Sequence, residues 1–230
     1  MRETAIGGFT MANTKGRVQS ILAGGLIAAG LTFATSATAG TILGSQHDFS
    51  GSGWSGGEIC IVCHTPHNAA TIADAPLWNH AVTTSTFTTY VSPTFDGAGT
   101  IGQPDGSSVL CLSCHDGTVA IDSFGGTTGS TIIPGNANFG TDLTNDHPIS
   151  FTYDAALATA DPGLFDPTAT TVTIGVAPKT KTGTINDVML LSNKLQCASC
   201  HDVHNGFTNG PRLLRVSNAG SALCLTCHDK

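Results

Sequence analysis

The chain has 230 residues and a formal net charge of −7; only 11% of its residues are charged and 6% aromatic, and 28 are glycine. A chain so poor in large side chains cannot build a dense aromatic core, yet its 40% hydrophobic content and low charge set it apart from disordered sequences. Past residue 39 the only permanent cations are Lys179, Lys181, Lys194, Arg212, Arg215 and Lys230, without a basic run, which argues against a nucleic-acid or anionic-membrane partner.

In chain order, the first 39 residues read as an export signal. Arg2, Lys15 and Arg17 precede the glycine-interrupted apolar run 21–31, and Ala37-Thr38-Ala39 supplies a small-residue cleavage pattern. The run is short of the ~20 apolar residues that a membrane span needs. Met11 is an alternative start, because residues 11–39 already hold a complete signal. Cleavage leaves residues 40–230, an exported domain of 191 residues with a net charge of −9 and no membrane span.

The eight cysteines of this domain fall in four copies of one pattern. They are Cys60-Ile-Val-Cys63-His64, Cys111-Leu-Ser-Cys114-His115, Cys197-Ala-Ser-Cys200-His201 and Cys224-Leu-Thr-Cys227-His228, termed motifs 1 to 4. C-x-x-C-H is the attachment pattern for c-type haem. On a helical turn, positions i, i+3 and i+4 share one face. Two thiols therefore reach the vinyl groups of one porphyrin edge, and the histidine reaches the iron. Disulfides, zinc sites and redox dithiols use cysteine pairs too, but none requires a histidine directly after the second cysteine of every copy. Four haem c groups amount to one per ~48 residues, far above the cofactor load of an ordinary core. The expected fold is mostly irregular coil wrapped around haems, with short helices at the motifs and a few β-strands.

The motifs are unevenly spaced. Motifs 3 and 4 lie closest and read as a paired-haem unit over 197–230. Glycine-, threonine- and serine-rich stretches at 92–108 and 124–141 read as surface loops. Between motifs 2 and 3, Ile149, Phe151 and Tyr153 alternate with polar residues, as do Val172, Ile174 and Val176, which predicts strands.

His64, His115, His201 and His228 are proximal iron ligands by motif. Five histidines remain: His47, His67, His80, His147 and His204. Met189 is the only methionine past residue 39, so bis-histidine coordination is expected throughout. His67 and His204 each stand three residues after a proximal histidine and cannot swing round to the far face of that haem. Each must serve another haem or none, and by sequence proximity His204 is expected to serve the last haem.

The blocks His47-Asp-Phe-Ser, Cys60-Ile-Val-Cys-His-Thr-Pro-His67, Pro76-Leu-Trp-Asn, Cys111-Leu-Ser-Cys-His-Asp-Gly-Thr, Asn145-Asp-His-Pro and Cys197-Ala-Ser-Cys-His-Asp-Val-His204 resemble the OmcE-type extracellular tetrahaem cytochromes of metal-respiring bacteria. The resemblance spans most of residues 40–230 and is weakest over 155–190. It implies distal ligand roles for His47, His67, His147 and His204, with His80 as the spare. It also implies head-to-tail homopolymeric filaments in which a neighbouring subunit supplies one axial histidine, for which His67 is favoured over His47. The expected function is electron transfer without enzymatic chemistry, exchanging electrons with other cytochromes and extracellular acceptors at the cell surface. The alternatives are a monomeric periplasmic shuttle and a multihaem reductase, which needs an open iron position.

Overall fold

A computed structural model gives the fold for residues 42–72, 75–97, 101–204 and 212–229. The expected export signal, 1–39, lies outside these residues. Irregular backbone dominates, as the dense Gly, Thr and Ser content predicts. The regular elements in chain order are β1 (Ala70–Ile72), β2 (Ala75–Trp78), α1 (Gly106–His115), β3 (Phe151–Thr152), α2 (Ala155–Ala160), β4 (Thr171–Ile174), β5 (Lys181–Thr184), α3 (Ile185–Val188), β6 (Lys194–Leu195) and α4 (Cys197–Cys200). The strands pair antiparallel into three two-stranded ladders, β1–β2, β3–β6 and β4–β5.

The 92–108 stretch is not loop to its end. The helix α1 begins at Gly106 and takes Ser107 and Ser108 into its buried first turn. Polar residues that bond neighbouring backbone are at home in such a turn. The expected alternation at 171–176 appears in β4 as far as Ile174, with Val172 and Ile174 turned inward and Thr171 and Thr173 outward, and Val176 lies beyond the strand because Gly175 takes a left-handed φ of +80°. The strand expected over 149–153 shrinks to Phe151–Thr152, because Ser150 takes a left-handed φ of +62°.

The chain also builds an apolar cluster of its own. Tyr153, Leu157, Ile174, Ile185, Val188, Met189, Leu190 and Leu195 are all buried together. Each such side chain contributes roughly 1.5–3 kcal/mol on burial. Two caps feed this cluster: Asp154 accepts from Leu157 N–H at 2.9 Å to start α2, and Thr184 Oγ1 accepts from Asp187 N–H at 3.2 Å to start α3. A smaller cluster of Phe87, Leu112 and Leu143 lies against α1. Met189 is 2% exposed inside the larger cluster, so its sulfur packs the core.

Candidate haem sites

Each of the four motifs folds into one helical turn. In α1 the turn is part of a ten-residue helix carrying Cys111, Cys114 and His115. Elsewhere it is a single turn closed by the histidine's own N–H on the first cysteine's carbonyl: His64 to Cys60 at 2.8 Å, His201 to Cys197 at 3.1 Å, His228 to Cys224 at 3.0 Å. The spacing thus places two thiols and an imidazole on one side of the turn. None of the eight cysteines is joined to another in a disulfide.

The thiol pairs follow one another through space. Cys63 and the cysteines of motif 2 are close enough to act on each other: burial, then Cys63, pushes Cys114 up to about 12. Motifs 2 and 3 lie side by side, and the neighbouring Cys197 thiol, ahead of burial, raises Cys111 well above its ordinary value. The Cys111 thiol in turn lowers Cys197 to about 7 by favouring its thiolate form. Cys200 is raised to about 11 by burial and then by Cys227 and its other cysteine neighbours. The order in space is therefore motif 1, 2, 3, 4.

The imidazoles are prepared for metal binding in a common way. The Nδ1 atom of His64 faces Pro76 O at 2.9 Å, that of His115 faces Ala137 O at 2.7 Å, and that of His201 faces Arg212 O. A carbonyl at Nδ1 fixes the proton there and leaves the Nε2 lone pair for a metal. Gly117, at φ +71°, turns the chain off α1, and the returning loop lays Phe139 flat on the His115 ring at 5.2 Å. His147 is oriented like the proximal residues, with Nδ1 on Pro148 O at 2.9 Å.

Three of the five other histidines stand opposite a motif histidine. Ring centroids are 6.0 Å apart for His47 and His115, 6.1 Å for His64 and His204, and 6.4 Å for His147 and His228. Two imidazoles bonded to one metal at about 2 Å each have centroids roughly 6 Å apart. Burial, then His115 and His201, lowers His47 to about 4, so this imidazole is neutral near pH 7, the ligating form. Its Nδ1 is buried without a hydrogen-bond partner. The donor set of paired imidazoles and clustered thiols fits haem c.

One expected pairing is corrected. His204 faces His64 of motif 1 rather than the histidine of motif 4, which His147 faces instead. Sequence proximity misled, because the chain doubles back and brings the turn after motif 3 beside motif 1. His67 is exposed on the turn after motif 1. His80 is buried, with Nδ1 facing Ala81 O at 2.7 Å and Nε2 lying 3.1 Å from Ala120 O and 3.5 Å from Cys114 Sγ. Among the described residues, no second imidazole is in ring contact with His201.

Sequence reasoning missed the polar joint between α1 and α4. Gln196, 2% exposed, receives Ser108 Oγ–H and Ser150 Oγ–H on its Oε1 and donates from Nε2 to Asp105 Oδ1 at 2.8 Å. Asp105 also pairs with Lys194, and Ser108 Oγ accepts from Cys197 N–H at 3.0 Å. A second anchor is Asp116, 3% exposed, which accepts from Thr83 Oγ1 at 2.5 Å and from Thr118 N–H at 2.8 Å. The capping signature of Gln196 with Ser199 was the one local signal available.

Residues 191–230 match the family described as a doubled CXXCH motif. The matched segment contains motifs 3 and 4. No curated protein matches the chain. The motifs indicate covalently bound haem c, and the doubled motif supports a multihaem c-type cytochrome that transfers electrons. Among the described residues, no helix is long and apolar enough to cross a membrane.

Proposed function

We propose that the protein carries electrons over long distances through four bis-histidine haem c groups, as a subunit of an extracellular filament of the OmcE type. The observation that carries the reading is the set of three imidazole pairs at 6.0–6.4 Å, each joining one motif histidine to one histidine outside the motifs. The residues that would hold the groups are Cys60, Cys63, Cys111, Cys114, Cys197, Cys200, Cys224 and Cys227 through their thiols, and the three histidine pairs and His201 through Nε2. Bound haem supplies a one-electron iron couple, whose potential follows from ligands, burial and nearby charge. The chain's own contribution is to fix the imidazoles of His64, His115, His147 and His201 through backbone carbonyls and to hold neighbouring motifs in contact.

His201 is the proximal residue left without a ring partner among the described residues, and exposed His67 is the candidate without a ring of its own to face. A neighbouring subunit's His67 on the His201 iron completes the coordination. Such a contact joins unlike surfaces, does not close on itself and extends as a filament. In this reading residues 1–39 are removed on export and the product acts at the cell surface.

The lack of a ring partner for His201 among the described residues also accords with a multihaem reductase, and one variant separates the two. His67→Ala should load four haems per chain by pyridine haemochrome, form no filaments under electron microscopy and show one high-spin iron. Normal filaments with all irons low-spin would overturn the role of His67. A high-spin iron in filaments of the unaltered protein would favour the reductase.

A further inference from the structure

Three of the six cations beyond residue 39 meet in one place. Lys179, Lys181 and Arg215 line a cleft of about 130 Å³ with Ile174, Gly175 and a single carboxylate, Asp202. Three cations against one carboxylate make it net positive, in a chain whose net charge is −7.

The cleft is built rather than incidental. Arg215 is fixed by Nε donating to Ala198 O at 2.6 Å and by its own N–H donating to Cys200 O at 2.8 Å, both acceptors inside motif 3. Its Nη1 lies 3.9 Å from Asp202, a loose contact rather than a bidentate pair. The loop after β4 is tied to it by Gly175 N–H on Arg215 O at 2.7 Å, and Lys179 N–H closes that loop on Val176 O at 2.7 Å. Gly175 needs its φ of +80°, and a Cβ there would meet Lys179 O at 2.4 Å. The Nζ of Lys181 reaches a carbonyl oxygen, Asp187 O, at 3.4 Å.

The cleft also adjoins the electron-carrying part of the molecule. Asp202 directly follows His201, and its carboxylate lies 4.0 Å from the ring of His204, which faces His64. A site of this size admits one carboxylate or oxyanion group and not a folded partner. We infer that it is an electron-exchange site for small, multiply charged anions, such as a redox metal wrapped in anionic ligands, with one anionic group seated among Lys179, Lys181 and Arg215. The inference rests on the haem reading of the motifs. The exchange moves one electron from the reduced protein to the oxidised metal of the anion, with no bond or proton transferred. The positive cleft raises the local concentration of the anion, an effect that salt screens.

The test uses haem-loaded protein, with haem content measured first, so that failure of the haem reading shows itself separately as missing haem. Hexacyanocobaltate(III), a redox-inert trivalent anion, is titrated calorimetrically at low salt, and oxidation of the reduced protein by ferricyanide is followed by stopped flow. Lys179→Gln/Lys181→Gln should weaken the first and slow the second by about tenfold. Ala156→Glu, which lowers the net charge on the exposed first turn of α2, should change neither by more than about twofold. The same carboxylate chemistry could come from the protein's own haems. In that case the unaltered protein binds no hexacyanocobaltate and the double variant shifts a midpoint potential instead, which overturns the proposal. Equal binding by the double variant and the unaltered protein overturns it too.

Discussion

Motifs 2 and 3 at the centre and motifs 1 and 4 at the ends are secured differently. The central pair is joined by side chains. Gln196, Ser108, Ser150, Asp105 and Lys194 form a largely buried polar network between α1 and α4, and Cys111 meets Cys197 beside it. The end motifs are clipped mainly by backbone. Asn79 N–H and Thr65 N–H hold motif 1 against β2 at 2.9 Å each, and Phe165 N–H holds Cys227 O at 2.9 Å in motif 4. Cys60 and Cys224 are exposed, whereas both motif 2 cysteines are partly covered. A buried, fully bonded network fixes one geometry, because leaving any member unpaired is costly. The centre therefore sets the spacing of two attachment turns, while the end motifs depend mainly on backbone bonds to neighbouring segments.

The largest expected effect comes from breaking the centre. Gln196→Ala strands Ser108, Ser150 and one Asp105 oxygen and should lower unfolding stability by about 2–4 kcal/mol, read from urea denaturation of the loaded protein. A loss below about 0.5 kcal/mol would mean that the joint is not specific. The corresponding cut at motif 4 is Tyr153→Phe. Tyr153 O–H donates to Phe165 O at 2.6 Å and lies 3.3 Å from Cys227 O, so its loss should cost about 1 kcal/mol in the same assay.

The smallest effect is a pH dependence of the centre. Burial pushes the Asp105 carboxyl up, but hydrogen bonds from Lys194 and Gln196 and the charge of Lys194 outweigh it, and the net shift is downward from 3.8. A group with a depressed folded value contributes stability that is fully present above 3.8 and lost as pH falls through the lower folded value. Asp105→Asn should therefore flatten the loss of stability below pH 3.8 and leave the slope near neutrality unchanged. Its partly exposed side chain keeps the effect small.

Much of this arrangement was legible in the sequence. The C-x-x-C-H spacing dictated the shared turn at each motif, and low apolar mass with abundant glycine dictated an irregular chain. The β4 alternation could be read from Val172 and Ile174. The partners across space could not be read. His64 and His204 come from opposite ends of the folded domain, and nothing in their neighbouring residues encodes the meeting. Gln196 and Ser108 look like ordinary polar residues until α1 and α4 pack. The apolar cluster lies mainly in residues 153–195, where the resemblance to a known family is weakest, so its strands had to be argued from alternation alone, and the capped helices α2 and α3 were not anticipated.

The central claim is the assignment of distal histidines, and the structure of the haem-loaded protein tests it most directly. The account predicts one iron between His47 and His115, one between His64 and His204 and one between His147 and His228, with His80 on no metal. An iron between His204 and His228, or any iron bound by His80, would contradict it.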